Sequence, residues 1–141
     1  MPSIKGSFSG GVTKQSELSL TDQPNHGMSI GEVAGTNQSR DPLWNNANIT
    51  YWAVTDVVGG KGSQRGYFDN VHTDKGRDWG TFQGKVSTKN GATTVAGTWK
   101  FQGGDGKYRG IKGGGKFKVV MKSPTDLSCN WSGDYRLRKA R

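Results

Sequence analysis

Cysteine is almost missing from this sequence. Cys129 stands alone, so no internal disulfide can form. Histidine is nearly as scarce: His26 and His72 lie far apart, and no Cys or His spacing suggests a structural zinc site. With two histidines and no nucleophile elbow, a Ser-His-Asp arrangement has nothing to be built from. Long apolar runs are absent too. No segment approaches the roughly 20 apolar residues that cross a bilayer as a helix, and the opening MPSIKGSFSGG lacks the apolar stretch of a signal peptide. A cytoplasmic protein is expected if Met1 is the native start, and a periplasmic or secreted one if a leader was removed. No segment carries a 3.6-residue apolar period, so little helix is expected.

What the sequence has in quantity is glycine, aromatic residues and positive charge. The 141 residues suit one domain with a real core. Mean hydropathy is low, at -0.76, and only 30% of residues are hydrophobic, but 23 are glycine. Five Trp, four Tyr and five Phe recur along the whole length, and each ring buries roughly 150–250 Å². That recurrence argues against disorder, the alternative for so polar a chain. Few but large buried groups separated by glycine suit tightly curved strands. The net charge of +9 is uneven: residues 99–141 hold 11 of the 20 Lys and Arg against three acids.

Strand signals recur at short intervals between Gly, Asn, Asp and Pro clusters, near 4–10, 15–21, 27–36, 47–58, 64–73, 79–88, 92–102, 107–112, 115–122 and 126–137. Asn90-Gly91 is the best hairpin turn, Pro124 separates two strands, and 37–46 is the expected long loop around Pro42. Side-chain alternation sorts the faces. In the last strand Leu127, Cys129, Trp131, Tyr135 and Leu137 oppose polar neighbours. Val95, Trp99 and Phe101 oppose Thr98 and Lys100, while Phe117, Val119 and Met121 oppose Lys116, Lys118 and Lys122. Residues 49–58 are apolar on both faces, as for a strand covered inside and by a loop or partner chain, so a homo-oligomer is one possibility. Glycines inside the strands permit the bends that close a barrel. The expected architecture is an all-β, closed antiparallel barrel of about eight strands, with a two-sheet sandwich as the alternative.

Gly110, Gly115 and Lys116 nearly spell a phosphate-binding loop, but Phe117 replaces the metal-binding hydroxyl and a strand follows where a helix belongs. The same region, Thr98-Trp99 through Gly103-Gly104-Asp105-Gly106-Lys107-Tyr108-Arg109-Gly110-Ile111 to Gly115-Lys116-Phe117, resembles a glycine-rich stretch of the allene oxide cyclase-like barrel superfamily, which includes the dirigent proteins. The resemblance covers about 25 residues. It implies an eight-stranded antiparallel barrel that binds a hydrophobic small molecule and guides isomerisation or cyclisation without a redox cofactor. None of that family's catalytic residues matches a position here. Asn130-Trp131-Ser132-Gly133-Asp134-Tyr135 also resembles the last strand of avidin-type barrels, but the opening strand lacks the remainder of that pattern, which argues against biotin.

Tyr51, Trp99, Phe117, Trp131 and Tyr135 are therefore the candidate lining of a ligand cavity, with simple core packing as the competing reading. Glu32 shares a face with Met28, Ile30 and Ala34. If that face is buried, Glu32 has a raised pKa and is the candidate general acid or base for isomerase, cyclase or lyase chemistry; if not, it is solvated. Asp56, Asp69 and His72 are lesser candidates. No cofactor or metal is expected. The outward lysines 100, 116, 118 and 122, with Arg136, Arg138, Lys139 and Arg141, offer an alternative function in binding nucleic acid or another polyanion. The aromatics alternate away from these lysines, which weakens any stacking on bases. A structural or assembly protein without chemistry is the third reading.

Overall fold

The computed structural model describes residues 3–138; the expectations placed on Met1, Lys139 and Arg141 lie outside them. Eight strands follow one another in sequence: β1 (Ser3–Leu20), β2 (His26–Ser39), β3 (Asn48–Val58), β4 (Lys61–Val71), β5 (Arg77–Lys89), β6 (Ala92–Gly104), β7 (Lys112–Met121) and β8 (Asp126–Arg136). Each pairs antiparallel with the next, and β8 returns to β1 from Gly11↔Asp126 to Ser3↔Asp134. The barrel is closed, which excludes the two-sheet sandwich and removes the unpaired edges.

Three of the ten expected strands are corrected. Residues 4–10 and 15–21 form a single strand, β1, because a register shift between Val12 and Lys14 absorbs the local irregularity without breaking the pairing to β2. Residues 107–112 are mostly not a strand. Gly106 and Gly110 adopt positive φ (59° and 77°) around a three-residue 3-10 turn, Gly106–Tyr108, and only Lys112 belongs to β7. Asn90 and Gly91 form the expected tight hairpin turn, both with positive φ (51° and 79°).

The connections make the two ends of the barrel unlike. At one end the strands are joined by tight tips, residues 21–25, 59–60, 90–91 and 122–125, which leave the interior open. At the other end run the longer segments 40–47, 72–76 and 105–111, which fold over the interior and seal it. Asp41 starts the seal: its carboxylate accepts the Leu43 backbone N–H at 2.9 Å and the Tyr135 hydroxyl at 2.8 Å. This turn drives Trp44, 1% exposed, into the barrel between His72, Phe101, Tyr108 and Tyr135.

Inside, rings and glycines share the volume. Trp131 of β8 lies over Gly6 of β1, where a Cβ would come within 2.4 Å of its ring, and Trp99 lies over Gly133 in the same way at 2.8 Å. Edge-to-face contacts link Phe8, Tyr51, Phe82 and Phe117 across the barrel, and Trp131, Trp99 and Phe101 along it. β2 contributes small groups to this interior, including Ser29, Gly31, Val33 and Gly35. A Cβ on Gly35 would meet Phe8 at 3.0 Å.

Candidate functional site

Two spaces lie along the barrel axis. The inner one, about 70 Å³, is enclosed chiefly by rings, among them Phe8, Trp44, Phe68, Phe82, Trp99 and Trp131. The outer one is a bowl of about 530 Å³ bounded by the hairpin tips. Its apolar wall includes Val33, Ala53, Val86, Val95 and Leu127, and its polar groups include Gln15, Glu17, Ser29, Thr55, Thr88 and Thr93. Tyr51, Gln64 and Val119 line both spaces. Tyr51 thus stands at the boundary between them. Burial pushes its hydroxyl above the ordinary phenol range, so it remains protonated at any physiological pH.

A one-way chain of hydrogen bonds runs from the inner cavity into the sealed end. The Trp131 indole N–H donates to Asn37 Oδ1 at 3.0 Å. Asn37 Nδ2 donates to Asn70 Oδ1 at 3.0 Å, and Asn70 Nδ2 donates to Asp78 Oδ1 at 2.9 Å. Asp78 Oδ2 meets His72 Nε2 at 2.5 Å, and His72 Nδ1 meets the Leu43 carbonyl at 2.6 Å. The two ends fix the direction: an indole can only donate and a carbonyl can only accept, so both carboxamides are forced into one orientation. His72 must carry hydrogen on Nδ1. One proton then remains between Nε2 and Asp78, and the pair is neutral overall wherever it sits. His72 is 2% and Asp78 0% exposed. Burial pushes the Asp78 carboxyl up, against the opposing pull of His72 and Asn70. Tyr108 stacks on the His72 ring at 3.9 Å and covers the pair.

The expected site residues separate accordingly. Tyr51, Trp99, Phe117 and Trp131 do converge on the inner cavity. Tyr135 points inward but does not line it; its ring packs on Trp44 at 4.6 Å and its hydroxyl holds the sealing turn. Glu32 takes the unburied of the two placements that the sequence left open. The face it shares with Ile30 (55% exposed) and Met28 is the outer one, because the small residues of β2 take the interior. Its carboxylate accepts hydrogen bonds from Thr13 and the Trp52 indole, both at 2.8 Å, which hold its pKa below the ordinary value. An outward, stabilised carboxylate is a poor general acid, so Glu32 is withdrawn as the catalytic candidate. Asp56 sits at the rim, bonded to His26 at 2.7 Å, and Asp69 pairs outside with Arg77 at 3.0 Å.

Sequence reasoning missed Asn37 and Asn70, which join Gln64 as polar members of the inner wall. Both continue an inward alternation, Val33-Gly35-Asn37 and Gln64-Gly66-Phe68-Asn70-His72. Polar residues continuing a buried face were the available signal. Phe8, Trp44, Phe68, Phe82 and Phe101 were legible as apolar but not as cavity wall.

The basic wall is on the outside as expected. Lys85 and Lys118 both flank Ala96, Lys116 pairs with Thr98, and Lys100 pairs with Thr81, all four lysines being exposed. Lys122 instead reaches the rim of the bowl. Among the described residues, no three His, Cys, Asp or Glu side chains are grouped so as to hold a metal ion, and no helix is long and apolar enough to cross a membrane. No protein-family model matches the chain, and no curated protein matches it.

Proposed function

We propose that this barrel binds a hydrophobic small molecule, taken in through the open end. One observation carries the reading: a ring-walled cavity lies beneath an open bowl of ligand size, with Tyr51, Gln64 and Val119 in both walls. Pockets that hold small ligands span about 300–1,000 Å³ and combine apolar walls with a few convergent polar groups. The bowl meets both conditions. The inner cavity alone holds less than the roughly 150 Å³ that accommodates benzene in an engineered apolar site, so the ligand's body rests in the bowl and a narrow end reaches inward. The resemblance of residues 98–118 to allene oxide cyclase-like barrels supports the same ligand class. It extends the proposal to cofactor-free isomerisation, cyclisation or lyase chemistry, in which a dry, shaped wall holds a reactive conformer. Tyr51 is the group best placed to touch a reacting atom.

Trp99 and Trp131 report directly on this site. Titration with a library of neutral hydrophobic compounds, followed by tryptophan fluorescence and by native mass spectrometry, should show saturable, one-to-one binding. Filling the bowl by Ala53→Trp should abolish it while the barrel stays folded. Absence of any one-to-one complex across the library ends the proposal.

A further inference from the structure

We propose that the ligand's inward end carries a neutral hydrogen-bond acceptor, a carbonyl or ether oxygen, received by the carboxamides of Asn37 and Asn70; this rests on the small-molecule reading above. The forced direction of the hydrogen-bond chain is the argument. Each carboxamide nitrogen has two N–H groups. Asn37 spends one on Asn70, and Asn70 spends one on Asp78. The second N–H of each makes no bond to any described residue. Each carboxamide oxygen, by contrast, already accepts, from Trp131 and from Asn37 respectively. An unmet buried donor costs more than a carbonyl oxygen using one of its two lone pairs. What this pair of carboxamides lacks is therefore an acceptor.

Charge narrows the class. The inner cavity is lined by rings, aliphatic groups, Cys129, Gln64 and the two asparagines, with no ionised side chain. Asp78 lies behind Asn70 with its charge balanced by the proton shared with His72. A carboxylate entering this wall meets no countercharge, and an ammonium meets no free carboxylate, so desolvation opposes both. A neutral ketone, aldehyde, ester or ether oxygen satisfies the N–H groups at no such cost. The small inner volume, about 70 Å³, adds that the acceptor sits near the tip of a slender group.

A matched pair of probes tests this. Heptan-2-one and 2-methylhept-1-ene have the same shape and differ by C=O against C=CH2. A merely apolar cavity prefers the alkene, which is the more hydrophobic of the two. The expected result is the reverse: the ketone binds about fivefold tighter in a solution NMR titration. A side-chain N–H proton of Asn37 or Asn70 moves downfield with the ketone and not with the alkene. Equal affinities, a tighter alkene, or unmoved carboxamide protons overturn the acceptor assignment and leave the small-molecule reading intact. If neither probe binds up to its solubility while a library compound does, the acceptor assignment falls alone; if no library compound binds either, both fall together.

Discussion

At the scale of single residues, the buried pair His72 and Asp78 has the most definite chemistry. Its one shared proton makes a sharp comparison possible. In Asp78→Asn the carboxamide can keep its oxygen toward Asn70 and offer an N–H to His72 Nε2, reproducing the bonds of a protonated Asp78. That variant should lose less than about 1 kcal/mol in urea unfolding. Asp78→Leu leaves Asn70 Nδ2 and His72 Nε2 unpaired and should cost about 2–6 kcal/mol. Equal losses would mean that the pair is held as separated ions. His26 makes the opposite kind of site. Each ring nitrogen lies 2.7 Å from a carboxylate, of Asp22 and of Asp56, so the ring is held as a cation and its pKa is raised above 6.5, first by Asp22 and then by Asp56. A raised folded value contributes stability fully below the ordinary imidazole range and loses it as pH rises through that raised value. Asp22, lowered by the same bond, contributes above the ordinary carboxylate range and loses it as pH falls through its lowered value. The Tm difference between the native protein and His26→Gln should therefore be largest at mildly acidic pH and shrink on both sides. A pH-independent difference would refute the clamp.

At the scale of elements, closure depends on β1 and β8 meeting where Trp131 crosses. Gly6 and Trp131 are register partners, and the ring occupies the place of the missing Cβ. Gly6→Ala should destabilise the barrel by about 1–3 kcal/mol through overpacking against the ring and the Gln38 carbonyl. Gly11→Ala, five residues along the same strand with nothing nearer than 3.8 Å, should stay within about 0.5 kcal/mol. Chemical denaturation of the two variants side by side checks this; equal effects would show that the ring is free to move aside. The expectations for individual strands succeeded where alternation was strict, as in β6, β7 and β8. They left the choice of face open in β2, where apolar Met28 and Ile30 point outward. Alternation defines two faces but does not say which is inside. In β2 the inward positions hold small residues, two of which, Ser29 and Gly31, face the open bowl.

At the scale of the whole molecule, charge and cavity fall on different surfaces. The exposed lysines 85, 100, 116 and 118 share the outer wall of β5–β7, while Trp99, Phe117 and Trp131 point the other way. Such a wall sets positive charge beside one exposed ring of its own, Trp79 of β5. Retention on heparin should fall steeply with salt, and the double variant Lys116→Glu, Lys118→Glu should elute at clearly lower salt while binding hydrophobic probes unchanged. Loss of probe binding in that variant would show that the two surfaces are not independent. The same wall also limits how two copies, each at +9, can approach. If a homo-oligomer forms, the less basic face bearing Ile30, Trp52 and Tyr67 is the one available to it.

The chain's own composition and periodicity determined that it would be all-β, that its strands would curve, and that three aromatic-rich strands in a row would turn one side to a dry interior. Those properties are local: glycine spacing and the two-residue repeat act within a strand and its immediate turn. Only the tertiary structure decided that the interior is sealed at one end by Trp44 and Tyr108 and open at the other, that Glu32 lies outside, and that Asn37, Asn70, Asp78 and His72 form one chain. Each of these depends on strands meeting across the barrel, and the contacts of Trp131 with Asn37 and of Tyr135 with Asp41 each span 94 residues. No pattern within a strand carries information about a partner so far away; the closure of the barrel supplies it.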